Sequence, residues 1–107
     1  MSRERRRAEN EAAFRAVNER IARLGRRYGS ESLELVCECS DADCSERVSL
    51  TVAEYERARA EPTYFLVVPG HETAGIERVV ERGRDFAIVE KGGEAAEVAA
   101  ATDPRTA

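Results

Sequence analysis

Apolar side chains along the first quarter of the chain recur at Phe14, Val17, Ile21, Leu24 and Tyr28, at intervals of three and four. That spacing predicts an amphipathic helix over residues 8–28, with the stripe turned inward against the rest of the domain. The same spacing is that of a coiled-coil seam, so a homodimer contact is the alternative use of the stripe. Arg and Glu fill the other faces, and Gly29-Ser30 breaks the run. Asn18 and Glu19 are the polar positions to watch on this helix, as bridges to the loop that follows or as surface residues.

The pattern then shortens. Leu33-Glu-Leu-Val-Cys-Glu predicts a strand that runs into a polar loop, Ser40 to Asp43. Arg47-Val-Ser-Leu predicts a second strand. Thr51-Val-Ala-Glu54 fits a capping box, in which the Thr51 hydroxyl accepts from the Glu54 N–H and the Glu54 carboxylate reaches back. A helix of about ten residues should follow through Tyr55 and Ala58, stopped by Pro62. Tyr64 to Val68 is the most apolar run and predicts a central strand, ended by Pro69-Gly70. Ile76–Arg82 and Phe86–Lys91 predict a hairpin around Gly83-Arg-Asp. Gly92-Gly93 is a break, and residues 94–101 are Ala-rich and predict a short helix. These elements give one α+β domain over residues 1–107: an N-terminal amphipathic helix plus a small, mainly antiparallel sheet with one further helix. Residues 1–7 form a basic arm and 102–107 a frayed tail.

Charge divides the chain unevenly. The net charge is -4, yet residues 1–28 hold nine arginines against four glutamates, and the remainder is strongly acidic. The basic helix can be drawn to the acidic part of its own chain or to an anionic partner, nucleic acid included. Mixed Arg and Glu spacings read equally as a solvated, salt-bridged face. No apolar run is long enough to span a membrane. No apolar segment follows the basic start, so it does not read as a secretory signal, and the cytoplasm is the expected compartment.

The candidate chemistry lies in four residues. Cys37, Cys39 and Cys44 are the only cysteines and His71 the only histidine in the chain. Residues two apart on a strand face the same way, so Cys37 and Cys39 present two sulfurs together. Ser40 to Asp43 turn the chain and return Cys44. The Pro69-Gly70 turn swings His71 in from the far side. Three thiolates and one imidazole are the donor set of a closed tetrahedral zinc site, and Zn2+ is the expected ion. In a reducing compartment, clustered cysteines read as metal ligands more readily than as disulfides, and an odd number cannot all pair. Two further readings stay open. Oxidation could release the metal and pair Cys37 or Cys39 with Cys44. A shell of three thiolates and a water would leave His71 or Glu72 as a base. Glu38 and Glu72, beside the candidate ligands, are candidates for hydrogen bonds to them or for solvated carboxylates. The chain carries no phosphate-binding, dinucleotide-binding, nucleophile-elbow or zincin motif, and an enzyme is the less favoured class.

The C-x-C-x4-C spacing looks like the post-SET zinc segment of histone lysine methyltransferases, but no SET domain accompanies it. A broader likeness runs through Phe14–Ile21, Val36-Cys-Glu-Cys, Cys44, Glu54-Tyr-Glu-Arg-Ala-Arg, Pro62-Thr-Tyr-Phe-Leu-Val-Val-Pro-Gly-His-Glu, Glu77-Arg-Val-Val-Glu and Val89-Glu-Lys. In that order the residues resemble a family of small uncharacterised bacterial, actinobacteria-like proteins, over roughly residues 12–91. The resemblance implies that the Cys/His set and the first helix belong to one module, and implies no activity. The expected function is a cytoplasmic zinc-binding module that works through a protein partner or in regulation. A nucleic-acid binder, a zinc or thiol sensor and, last, a metalloenzyme are the alternatives.

Overall fold

A computed structural model describes residues 3–39, 41, 43–73 and 75–105, with the backbone alone for residues 3–5. Ser40 and Ala42 of the expected loop, and Thr106 and Ala107 of the expected tail, lie outside the described residues. The order is α1 (Arg3–Arg27), β1 (Ser32–Val36), β2 (Arg47–Thr51), α2 (Val52–Ala58), β3 (Tyr64–Val67), β4 (Glu77–Arg82), β5 (Ala87–Lys91) and α3 (Gly93–Ala101). The arrangement is α+β, as expected. The strands divide between two antiparallel sheets, β1-β2 and β3-β5-β4, and the Ala-rich segment forms a third helix. The basic residues from Arg3 onward are the first turns of α1 rather than a separate arm.

In the first sheet the inward positions pair across the hairpin, Leu33 with Leu50 and Leu35 with Val48. The capping box at Thr51 and Glu54 forms in both directions and starts α2 directly from β2. In the second sheet the middle place belongs to β5, not to β3 as its apolar run suggested. Both strands are covered on both faces, which is why neither alternates. Leu66 and Ile88 pack with Leu35, Val48 and Tyr55, while Phe65, Val67, Ala87 and Val89 pack with Cys37, Cys39 and Ala99. The β4–β5 hairpin forms where the pattern placed it. Gly83 is required there, since a Cβ would meet the Phe86 ring at 2.0 Å.

The rotation of α1 differs from expectation. Its buried face is Ala8, Glu11, Ala12, Arg15, Asn18, Glu19 and Ala22. Val17, Leu24 and Tyr28 point away and are 46%, 53% and 77% exposed; Phe14 and Ile21 are half-buried. The reason is polar rather than apolar. The alanines let the helix approach closely, and each buried polar residue meets a specific partner. Arg15 lies over the Phe65 ring and donates to the carbonyls of Pro62 and Ala99, closing the C-terminal turn of α3. Glu11 meets the Lys91 ammonium, which also contacts Glu77. Asn18 pairs with both the N–H and C=O of Val36 at the end of β1.

Glu19 accepts from the Tyr55 hydroxyl at 2.6 Å and from Arg105 at 2.9 Å. Arg105 also bridges to Glu56, so residues 102–105 are held rather than loose. Burial pushes the Glu19 carboxyl upward, but the hydrogen bonds from Arg105 and Tyr55 outweigh it and hold it below its ordinary range. Glu56 is held low chiefly by its hydrogen bond from Arg105. Carboxyls depressed in the folded state add stability above their unfolded pKa of about 4.3 and lose it as pH falls through the folded value. Replacing Arg105 by Ala should therefore flatten the acid limb of a stability-versus-pH curve below about pH 5. An unchanged limb would show that Arg105 carries none of it.

Candidate metal centre

Each of the four predicted residues arrives by a separate local device. Past Val36 the chain leaves β1 but keeps one rung with its neighbour, Cys37 N–H to the Glu46 carbonyl at 3.2 Å. The next rung crosses to the second sheet, Glu38 N–H to the Leu66 carbonyl at 2.7 Å. The segment is thus extended, and Cys37 and Cys39 fall on one side with Glu38 on the other. Asp41 then turns the chain: its carboxylate accepts from the Asp43 N–H and its carbonyl from the Cys44 N–H at 3.0 Å. This is the Asx geometry for which Asp is suited. His71 follows a four-residue turn, Val68 to His71, closed by His71 N–H to the Val68 carbonyl at 2.9 Å. Pro69 sets the first corner and Gly70 takes the second at φ +94°, a conformation that L side chains rarely adopt.

These devices bring all four side chains together. One donor atom from each of Cys37, Cys39, Cys44 and His71 lies within 4.8 Å of every other. His71 Nδ1 is 3.7 Å from the Cys37 sulfur and 3.8 Å from the Cys44 sulfur. A tetrahedral ion with metal–sulfur bonds of about 2.3 Å and metal–nitrogen bonds of about 2.0 Å sets sulfur–nitrogen edges of about 3.5 Å. The two His71 edges lie within a few tenths of an ångström of that separation, and the four donors are close enough together for one metal ion. No disulfide joins the cysteines.

The surroundings suit a cation. Cys37 and Cys39 are buried and Cys44 is half-buried. Burial pushes the Cys37 and Cys39 thiols upward, with added repulsion from the neighbouring sulfurs. A bound cation reverses that balance and lets thiols ionise as ligands. The Val68 N–H donates to the Cys37 sulfur at 3.2 Å. On the exposed side, His71 Nε2 lies 2.8 Å from the Glu46 carboxylate. With a proton on Nε2 donated to Glu46, the Nδ1 lone pair would face the sulfurs.

Sequence reading did not single out Glu46; its place two residues past Cys44, in the strand-leading rung beside Cys37, is the only signal it offers. The two acids that were singled out act elsewhere. Glu72 turns back on its own loop, where it accepts from the Gly70 N–H at 3.0 Å. Glu38 is not solvated: it is fully buried on the opposite side of the strand. One oxygen accepts from Arg59 at 2.8 Å and the Leu66 N–H at 2.9 Å, and the other from Asn18 at 2.7 Å. Glu38 and Asn18 therefore join the cysteine segment to α1, α2 and β3 at once. No family model, curated protein or solved structure matches the chain.

Proposed function

We propose that the chain binds one Zn2+ through Cys37, Cys39, Cys44 and His71, and that the metal holds together a small interaction or regulatory module. The observation that carries this reading is the convergence of the three sulfurs and His71 Nδ1 from two distant stretches of chain. Four protein donors complete a tetrahedral shell, the arrangement of structural rather than catalytic zinc. His71 binds through Nδ1, and Glu46 orients it. The soft sulfur-rich set favours zinc over the oxygen-seeking divalent ions. Among the described residues, no helix is long and apolar enough to cross a membrane.

Elemental analysis of the purified chain should find about one zinc per molecule, and Cys37→Ser should lose it. A metal-free folded chain would refute the reading. The role given to Glu46 has its own check. In competition with a chromophoric chelator, Glu46→Ala should bind zinc about 10- to 100-fold more weakly. Glu72→Ala should bind as the parent does, and equal affinities for all three chains would remove Glu46 from the site.

A further inference from the structure

Among the described residues, Val17, Leu24 and Tyr28 on the outward ridge of α1 pack against no part of the core. The three are exposed, and Phe14 and Ile21 are half-buried along its edge, Ile21 against the core. The apolar positions thus form a narrow seam at three-four spacing, the width that one further helix fills. Arg20, Arg23 and Arg27 lie along one side of the ridge, are exposed, and make no hydrogen bond or ion pair among the described residues. Most other basic side chains away from this face are engaged: Arg26 with Glu56, Arg57 with Glu81, Arg59 with Glu38, Arg78 with Glu90 and Arg105 with Glu19. The one carboxylate of α1 between residues 13 and 28, Glu19, faces the body and is buried.

From this we infer that the ridge docks an acidic amphipathic helix of another protein, its apolar seam against Val17, Leu24 and Tyr28 and an Asp- or Glu-rich flank against the three arginines. The inference rests on the interaction-module reading and names the partner's chemistry. A second copy seated ridge to ridge in parallel would set arginines against arginines; antiparallel, it could offer them the exposed Glu9, so self-association is one of the outcomes that the test separates. Phosphates would engage the arginines but leave the apolar seam uncovered. A helix lying in a membrane surface presents a broad apolar arc, and here the arc is one residue wide because the opposite face is locked onto the body.

The test uses the full chain as purified, with its zinc content measured on the same samples. The probe is a labelled three-heptad synthetic helix with Leu at the seam and Glu on the flanks, followed by fluorescence anisotropy. The Glu helix should bind, and the same helix with Lys flanks should not. Leu24→Ser, and the triple change R20E/R23E/R27E, should each weaken the Glu helix about tenfold or more. The triple variant should in turn accept the Lys helix. All variants should keep their zinc and their melting midpoint, since these side chains face away from the body.

Failure of the Glu helix to bind, binding that ignores the flank charge, or binding that survives both variants overturns the proposal. So does a ridge whose variants instead abolish retention on phosphatidylglycerol vesicles or on DNA, or concentration-dependent self-association. A protein from cell extract held equally by the parent and by the ridge variants would sink the ridge while leaving the interaction reading standing. A zinc-free parent would refute the metal reading, with the ridge still judged on the peptide arms.

Discussion

Stripping zinc from the chain is expected to abolish its cooperative thermal transition, and Cys39→Ser to do so without a chelator. The net stability of a domain is about 5–15 kcal/mol, the small remainder of large opposing terms. A chain of this size hides a modest share of its surface, and 42% hydrophobic content with 6% aromatic residues leaves its core resting mainly on aliphatic side chains. Structural zinc in small metal-dependent folds supplies on the order of 10 kcal/mol, comparable with the whole of that remainder. Its position magnifies the effect. The cysteine segment is where the chain leaves the β1-β2 sheet and meets β3, and His71 fastens the far end of β3 to it. Without the ion, buried thiols face one another with only a hydrogen bond from Val68 and contacts to Asp41 and His71. Circular dichroism melts with and without chelator decide the matter, and an unaltered midpoint would mean that the metal contributes nothing to folding.

Replacing Glu38 by Ala is expected to cost about 3–5 kcal/mol, the range for removing one partner of a buried ion pair. Its carboxylate is fully buried, and so is the Arg59 guanidinium it meets. The loss leaves a buried cation, an orphaned Leu66 N–H and an Asn18 amide with one partner fewer. Arg59 is poorly placed to compensate, because its Nη1 already has no hydrogen-bond partner. The arginine sits over the Tyr55 ring, so it is not free to turn toward solvent. The paired change Glu38→Leu with Arg59→Met should recover the part of the loss that comes from the unpaired cation, since a buried pair is often replaced by apolar side chains at little cost, while the Leu66 N–H stays orphaned. Urea denaturation of the single and double variants measures both effects. A loss below about 1 kcal/mol for Glu38→Ala would show that water reaches the site and screens it.

Most elements were legible because each rests on a local signal. Thr51 and Glu54 form a capping box from their spacing alone. Pro69 and Gly70 set a turn through their own backbone preferences, and Gly83 marks the hairpin. The cysteine and histidine set was legible by scarcity, since no other residue in the chain offers the same chemistry. The rotation of α1 was not legible. Hydrophobic spacing finds the buried face only when burial is driven by apolar contact, and here it is set by Arg15, Asn18 and Glu19, whose partners lie at Ala99, Val36 and Tyr55. Ala8, Ala12 and Ala22 share that face with them, and small residues interleaved with polar ones at helical spacing were the signal available. The middle strand was misjudged for a related reason. Both β3 and β5 are covered on two faces, so neither apolar content nor alternation ranks them.

The outer border of β3 carries one more consequence. Its outward amides are taken by side chains rather than by a neighbouring strand: the Leu66 N–H by Glu38, and the Val68 N–H by the Cys37 sulfur. Both guards belong to the segment that carries Cys37 and Cys39, two of the proposed ligands. If that segment swings away, Tyr64 to Val68 is left as a bare, uncharged β-forming template of five residues, the kind that recruits copies of itself. The ion would then act as a solubility safeguard, and a cell short of zinc would face clumped chains rather than merely unfolded ones.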